Sequence, residues 1–137
     1  MPEIRPKDST TSPRLRVLAV DGRPGRLHSF KKALNGNTDL IAATGPLEAF
    51  YWAEKLQTVD CLILRDPASI SAEPGAFLRS LLQSFQSTER MVKIVVAGPG
   101  EVEALRRSLL ISPSDLVIES PVEPEALCLE VRKRFSR

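Results

Sequence analysis

The stretch that most constrains this chain is Val59-Asp60-Cys61-Leu62-Ile63-Leu64-Arg65-Asp66-Pro67. A strand with one solvated face alternates apolar and polar residues. The unbroken apolar run from Cys61 to Leu64 instead predicts a strand buried on both faces, as in a parallel sheet. Pro67 has no N–H to give to a ladder, so the strand ends before it. Open α/β sheets place their chemistry outside the carboxyl ends of the strands. The residues standing at that end are Arg65 and Asp66.

The flanking segments alternate in the same way. Leu15 to Val20 reads as a strand ending in Asp21-Gly22, followed by a turn at Gly22, Pro24 and Gly25. Arg26 to Leu34 reads as a helix with Leu27, Phe30 and Leu34 on one face, and Gly36 as its left-handed cap. Asp39 to Thr44 is the second strand. Gly45-Pro46 opens a second helix whose inward stripe is Ala49, Trp52, Ala53 and Leu56. After the third strand come a helix over Ala76 to Phe85, a strand over Met91 to Ala97, and a helix over Glu101 to Leu110. Glu103 and Arg107 are spaced to pair on that last helix. Asp115 to Glu119 is the fifth strand, Ser120-Pro121 the turn, and Pro124 to Phe135 the fifth helix, with Ala126, Leu127 and Val131 toward the sheet. Alternating strands and helices imply a parallel sheet covered on both faces and joined by right-handed crossovers. Residues 1–13, with three prolines and almost no apolar residues, read as a disordered tail before one domain spanning 14–137.

Composition narrows the role. A net charge of +2 gives no footprint for nucleic acid. The basic residues Arg132, Lys133, Arg134 and Arg137 suit the end of a last helix. The absence of a signal peptide or long apolar span predicts a cytoplasmic chain without membrane contact. Two cysteines, Cys61 and Cys128, are too few for a disulfide framework and sit on apolar stripes. His28 is the only histidine and has no metal-ligand companion. Gly98-Pro99-Gly100 lies between a strand and a helix, but Glu103 at the third glycine position would repel a pyrophosphate, so it reads as a turn. Phe50, Tyr51 and Trp52 cannot all face inward on one helix; one ring stays half-exposed.

Five βα units in this length, with Asp21 closing the first strand, resemble the receiver domain of two-component response regulators over roughly residues 14–136. The resemblance implies a flavodoxin-like (βα)5 three-layer sandwich with sheet order 2-1-3-4-5. It also implies a site at the carboxyl ends of strands one, three, four and five. Receivers carry there two acids that hold magnesium, an acceptor Asp, a Ser or Thr, and a Lys before proline. Magnesium asks for hard oxygen ligands, and phosphoryl oxygens ask for donors. Here Asp21 matches the first acid, and Gly22 replaces the second. Arg65 falls at the acceptor position, Ala97 at the hydroxyl and Ser120 at the lysine; Pro121 is kept. The resemblance therefore implies a degenerate pseudo-receiver with no cofactor and no catalysis, in which Arg65 excludes magnesium and pairs with Asp21. The Ser120-Pro121 bond is expected to be cis, as receivers usually hold it.

Such a module acts by binding a signalling protein, a histidine kinase or effector, and can pair as a homodimer. Receivers use the face of helix four, strand five and helix five, which implies Arg106, Arg107, Glu119, Leu127 and Arg132 as the interaction surface. Two alternatives accompany this reading. If the third strand has gained one residue, Asp66 becomes the phosphate acceptor of an atypical response regulator, with Asp21 and Asp66 holding magnesium. Alternatively, the crevice binds a small molecule with Arg65 as its anion anchor.

Overall fold

The computed structural model describes residues 14–34, 36, 38–108 and 115–135. The expected tail, and Leu109, Leu110 and Arg137, lie outside them. Within the described residues the strands are β1 (Leu15–Asp21), β2 (Thr38–Ala43), β3 (Cys61–Arg65), β4 (Val92–Ala97) and β5 (Leu116–Glu119). The helices are α1 (Pro24–Leu34), α2 (Pro46–Leu56), α3 (Pro74–Ser84), α4 (Val102–Ser108) and α5 (Pro124–Phe135), with a short 3-10 turn at Pro67–Ser69. All pairings are parallel, and the sheet order is β2-β1-β3-β4-β5, as the resemblance implied.

The central strands divide their side chains by strict alternation. Leu18, Val20, Leu62, Leu64, Val95 and Ala97 face the layer of α2, α3 and α4, where Ala49, Ala53, Phe77, Leu78, Leu81, Val102 and Leu105 meet them. Val17, Ala19, Cys61, Ile63, Val92, Ile94 and Val96 face α1 and α5, against Leu27, Phe30, Leu34, Leu127, Cys128 and Val131. Every residue of β3 and β4 is buried, which is why their sequences show no polar alternation. The cysteines are both buried in the second layer. Burial pushes the Cys61 thiol up to about 12.

The structure moves several boundaries. α1 and α3 begin at Pro24 and Pro74, two residues earlier than read, because proline lacks only an N–H that a first turn leaves unused. β2 starts one residue earlier, at Thr38. Gly36 has the left-handed φ of +87° expected of it. Ala126 is exposed, and Cys128 takes the inward place assigned to it. Glu103 pairs with Arg106 at 2.9 Å instead of with Arg107. In the aromatic run, Phe50 packs edge-on to Phe77 with centroids 5.6 Å apart. Tyr51 is the exposed ring at 55 %; it leans on Trp52 and Lys55 of its own helix. Lys93 of β4 breaks the apolar rule from within. Its ammonium lies 3.2 Å from Asp115, whose side chain is fully buried, so the charge enters the sheet already paired.

Candidate functional site

The carboxyl ends of β1, β3, β4 and β5 converge with the β5–α5 turn. Asp21 closes β1 and is 2 % exposed. The ladder sets it directly opposite Arg65, the last residue of β3. β3 then leaves the sheet through Asp66, whose left-handed backbone (φ 48°, ψ 59°) swings its side chain out of strand register. The Asp66 N–H still reaches the Val96 carbonyl at 2.8 Å. On the next strand Ala97 is fully buried; its carbonyl accepts the Ser120 N–H at 2.8 Å. The Ser120-Pro121 bond is cis.

A residue passed over in the sequence organises the site. Arg26, in the first turn of α1, grips Asp21 with two hydrogen bonds: Nε to Oδ2 at 2.9 Å and Nη2 to Oδ1 at 2.6 Å. Its third nitrogen, Nη1, lies 2.8 Å from Asp66 Oδ2. One guanidinium thus bridges two carboxylates in the fork geometry that suits it. The Asp21 hydrogen bond raises the pKa of Arg26, with a smaller raising contribution from Asp66. The signal for this was available. A cation in a helix's first turn opposes the macrodipole, α1 has no acid there, and an anion must therefore stand nearby.

The expected Arg65–Asp21 pair is correspondingly weak. Arg65 Nε stays 3.9 Å from Asp21 Oδ2, because Arg26 has taken the carboxylate. Arg65 instead lays its side chain across the site and donates Nη2 to the Val122 carbonyl at 2.5 Å, tying the end of β3 to the β5–α5 turn. Its Nε and Nη1 are buried and have no hydrogen-bond partner. Burial lowers its pKa, and the neighbouring Arg26 lowers it further; it remains charged at any ordinary pH. Buried and committed through Nη2 to the Val122 carbonyl, Arg65 is not displayed in the way the anion-anchor reading expected.

Gly22 is exposed. A Cβ built there meets only Ile70 and Ser69, both at an ordinary 3.7 Å, so space does not exclude a second acid. The charges nevertheless do not suit a divalent ion. The two carboxylates that would hold it share Arg26 between them, and a second cation is buried alongside. Among the described residues no group of three His, Cys, Asp or Glu side chains could hold a metal.

The implied interaction surface is only partly assembled. Arg106, Arg107 and Glu119 are exposed, and Arg106 also reaches the Val117 carbonyl of β5 at 3.4 Å. Arg132 turns toward α1, donating to the Ala33 carbonyl at 3.1 Å. Leu127 is 1 % exposed and belongs to the core. With 127, 128 and 131 facing inward, the large apolar side chain that α5 leaves in solvent is Leu129, 56 % exposed.

The architecture matches solved structures closely. A receiver domain protein (CheY-like) from Methanospirillum hungatei superposes with a TM-score of 0.68 at 21 % identity, over 88 % of this chain and 93 % of its own. The fold is that of response-regulator receivers. An orphan response regulator of H. pylori gives 0.65 at 17 % identity, over 89 % of this chain and 98 % of its own. A structure described as an adenylate cyclase from Rhodopirellula baltica gives 0.71 at 11 % identity, over 88 % and 87 %. No family model matches the sequence, and no curated protein does. No helix among the described residues is long and apolar enough to cross a membrane.

Proposed function

We propose that this receiver-fold domain is a non-enzymatic signalling module that acts by binding another protein and does not use aspartyl phosphorylation. The observation that carries the reading is Arg26 held by Asp21 and Asp66 together. Phosphoryl transfer to a carboxylate depends on a metal to neutralise charge and on a free nucleophile. Here the protein's own guanidinium sits between the carboxylates, and Asp66 is engaged by it. Gly22, Ala97 and Ser120 supply none of the remaining groups. The two acids and two arginines balance, so the site is closed electrostatically and serves to fix the strand ends. Binding falls to the exposed face of α4 and β5, with Arg106, Arg107 and Glu119 as its charged residues and a signalling protein as the partner.

The test is incubation of the full chain with acetyl phosphate and magnesium, followed by intact mass measurement. The mass stays unchanged, and beryllofluoride with magnesium leaves the melting temperature where it was. A phosphoryl adduct that disappears in Asp66→Ala would overturn the proposal in favour of an atypical response regulator.

A further inference from the structure

At the opposite end of the sheet, where β1, β3 and β4 begin, lies a cavity of about 430 Å³, within the size range of small-molecule sites. Its framework is hydrogen-bonded. The Arg16 N–H donates to Asp60 Oδ2 at 2.8 Å, the Asp60 N–H returns to the Arg16 carbonyl at 2.9 Å, and the Val92 N–H takes the Asp60 carbonyl at 3.0 Å. Val59 and Met91, both buried, back it from the core.

Three arginines line this space: Arg14, Arg16 and Arg90. Arg14 is fixed by a 2.7 Å hydrogen bond to the Thr38 carbonyl. The guanidinium groups of Arg16 and Arg90 have no ion-pair partner among the described residues. Two acids, Asp60 and Glu89, share the lining, leaving a net single positive charge. Parallel topology brings the last turns of α1 and α5 to the same pole; Lys31 and Lys32 are exposed there, while Lys133 and Arg134 are paired with Glu130.

We propose that this cavity binds a nucleoside phosphate. Unpaired guanidiniums recognise phosphate oxygens through paired N–H donors. The carboxylates of Asp60 and Glu89 accept hydrogen bonds from hydroxyl groups, as acids do from a ribose. A nucleoside phosphate presents both kinds of group. Inorganic phosphate would leave most of the volume unfilled and the acids unused. The site is independent of the Asp21–Arg26 cluster, so its fate does not depend on the reading given to that end.

Calorimetric titration of the full chain with ADP, without metal and at low salt, tests this. ADP binds saturably with a dissociation constant of about 1 mM or tighter, more tightly than either pyrophosphate or adenosine. Arg16→Gln and Arg90→Gln, both on exposed side chains, each weaken it about tenfold or more. The double variant Lys31→Gln/Lys32→Gln, at the same pole but outside the cavity, leaves it essentially unchanged. The proposal is overturned by absence of saturable binding, by equal loss in the lysine variant, or by pyrophosphate or adenosine binding as tightly as ADP.

Discussion

Arg26→Ala removes the guanidinium from between Asp21 and Asp66, and its cost can be worked from the geometry. Asp21 loses both of its charged hydrogen bonds to Arg26 while its side chain is only 3 % exposed. Hydrogen bonds to charged groups are worth about 1.5–3 kcal/mol each, and breaking a fully buried pair costs about 3–5 kcal/mol. Two features discount the upper figure. Arg26's side chain is 25 % exposed and partly screened. Asp21 also keeps the Arg23 N–H at 3.0 Å and the distant Arg65 charge. The expected loss is about 2–3 kcal/mol, or roughly 8–12 °C in melting temperature for a domain of this size. The same variant frees two carboxylates. Combined with Gly22→Asp, which the local space admits, it creates a cluster of oxygen ligands, so magnesium should raise the melting temperature of Arg26→Ala/Gly22→Asp and leave the wild type unmoved. Thermal melts with and without magnesium read both effects. A loss below about 0.5 kcal/mol in Arg26→Ala, or a wild type that gains as much from magnesium as the variant, would refute the idea that Arg26 serves as the resident cation.

Two further outcomes follow from the same structure. Arg65→Met should leave stability within about 1 kcal/mol of wild type or raise it, because two buried nitrogens already lack partners and an apolar side chain of similar length suits the site; denaturant melts showing a loss above about 3 kcal/mol would mean that the tie to Val122 dominates. Cys61 should resist thiol reagents in the folded chain and give it a pH-dependent stability. Its thiol holds its proton up to about 12 in the fold, whereas the unfolded chain releases it near 8.5, so between those values the native state binds more protons and stability falls as pH rises, by up to about 1.4 kcal/mol per unit. Urea melts across that window should show the slope flattened in Cys61→Ala.

The fold was legible because the sequence states it redundantly. An apolar run at Cys61 to Leu64, prolines at helix starts and five strand–helix alternations each exclude other architectures, and the inward faces of α1 and α2 fall where periodicity put them. The site was legible only along the backbone. Strand order and spacing placed Asp21 opposite Arg65, and the ladder agrees. They could not show which cation Asp21 would choose, because that depends on side-chain reach. Arg65 and Arg26 compete for one carboxylate. Arg65 starts from the neighbouring strand and extends across to Val122, while Arg26 descends from the next helix with its fork already turned toward the acid. Asp66 was obscured for a related reason. Strand register assigns a residue to a face of the sheet, but a left-handed residue leaves the strand, and its side chain goes where the turn sends it. What decided this site was a helix's first turn lacking an acid and carrying an arginine, a pattern that looks unfavourable for the helix alone. Such a locally disfavoured cation becomes readable once it is asked which anion makes it tolerable, and Asp21, five residues earlier at a strand end, is the buried one within reach.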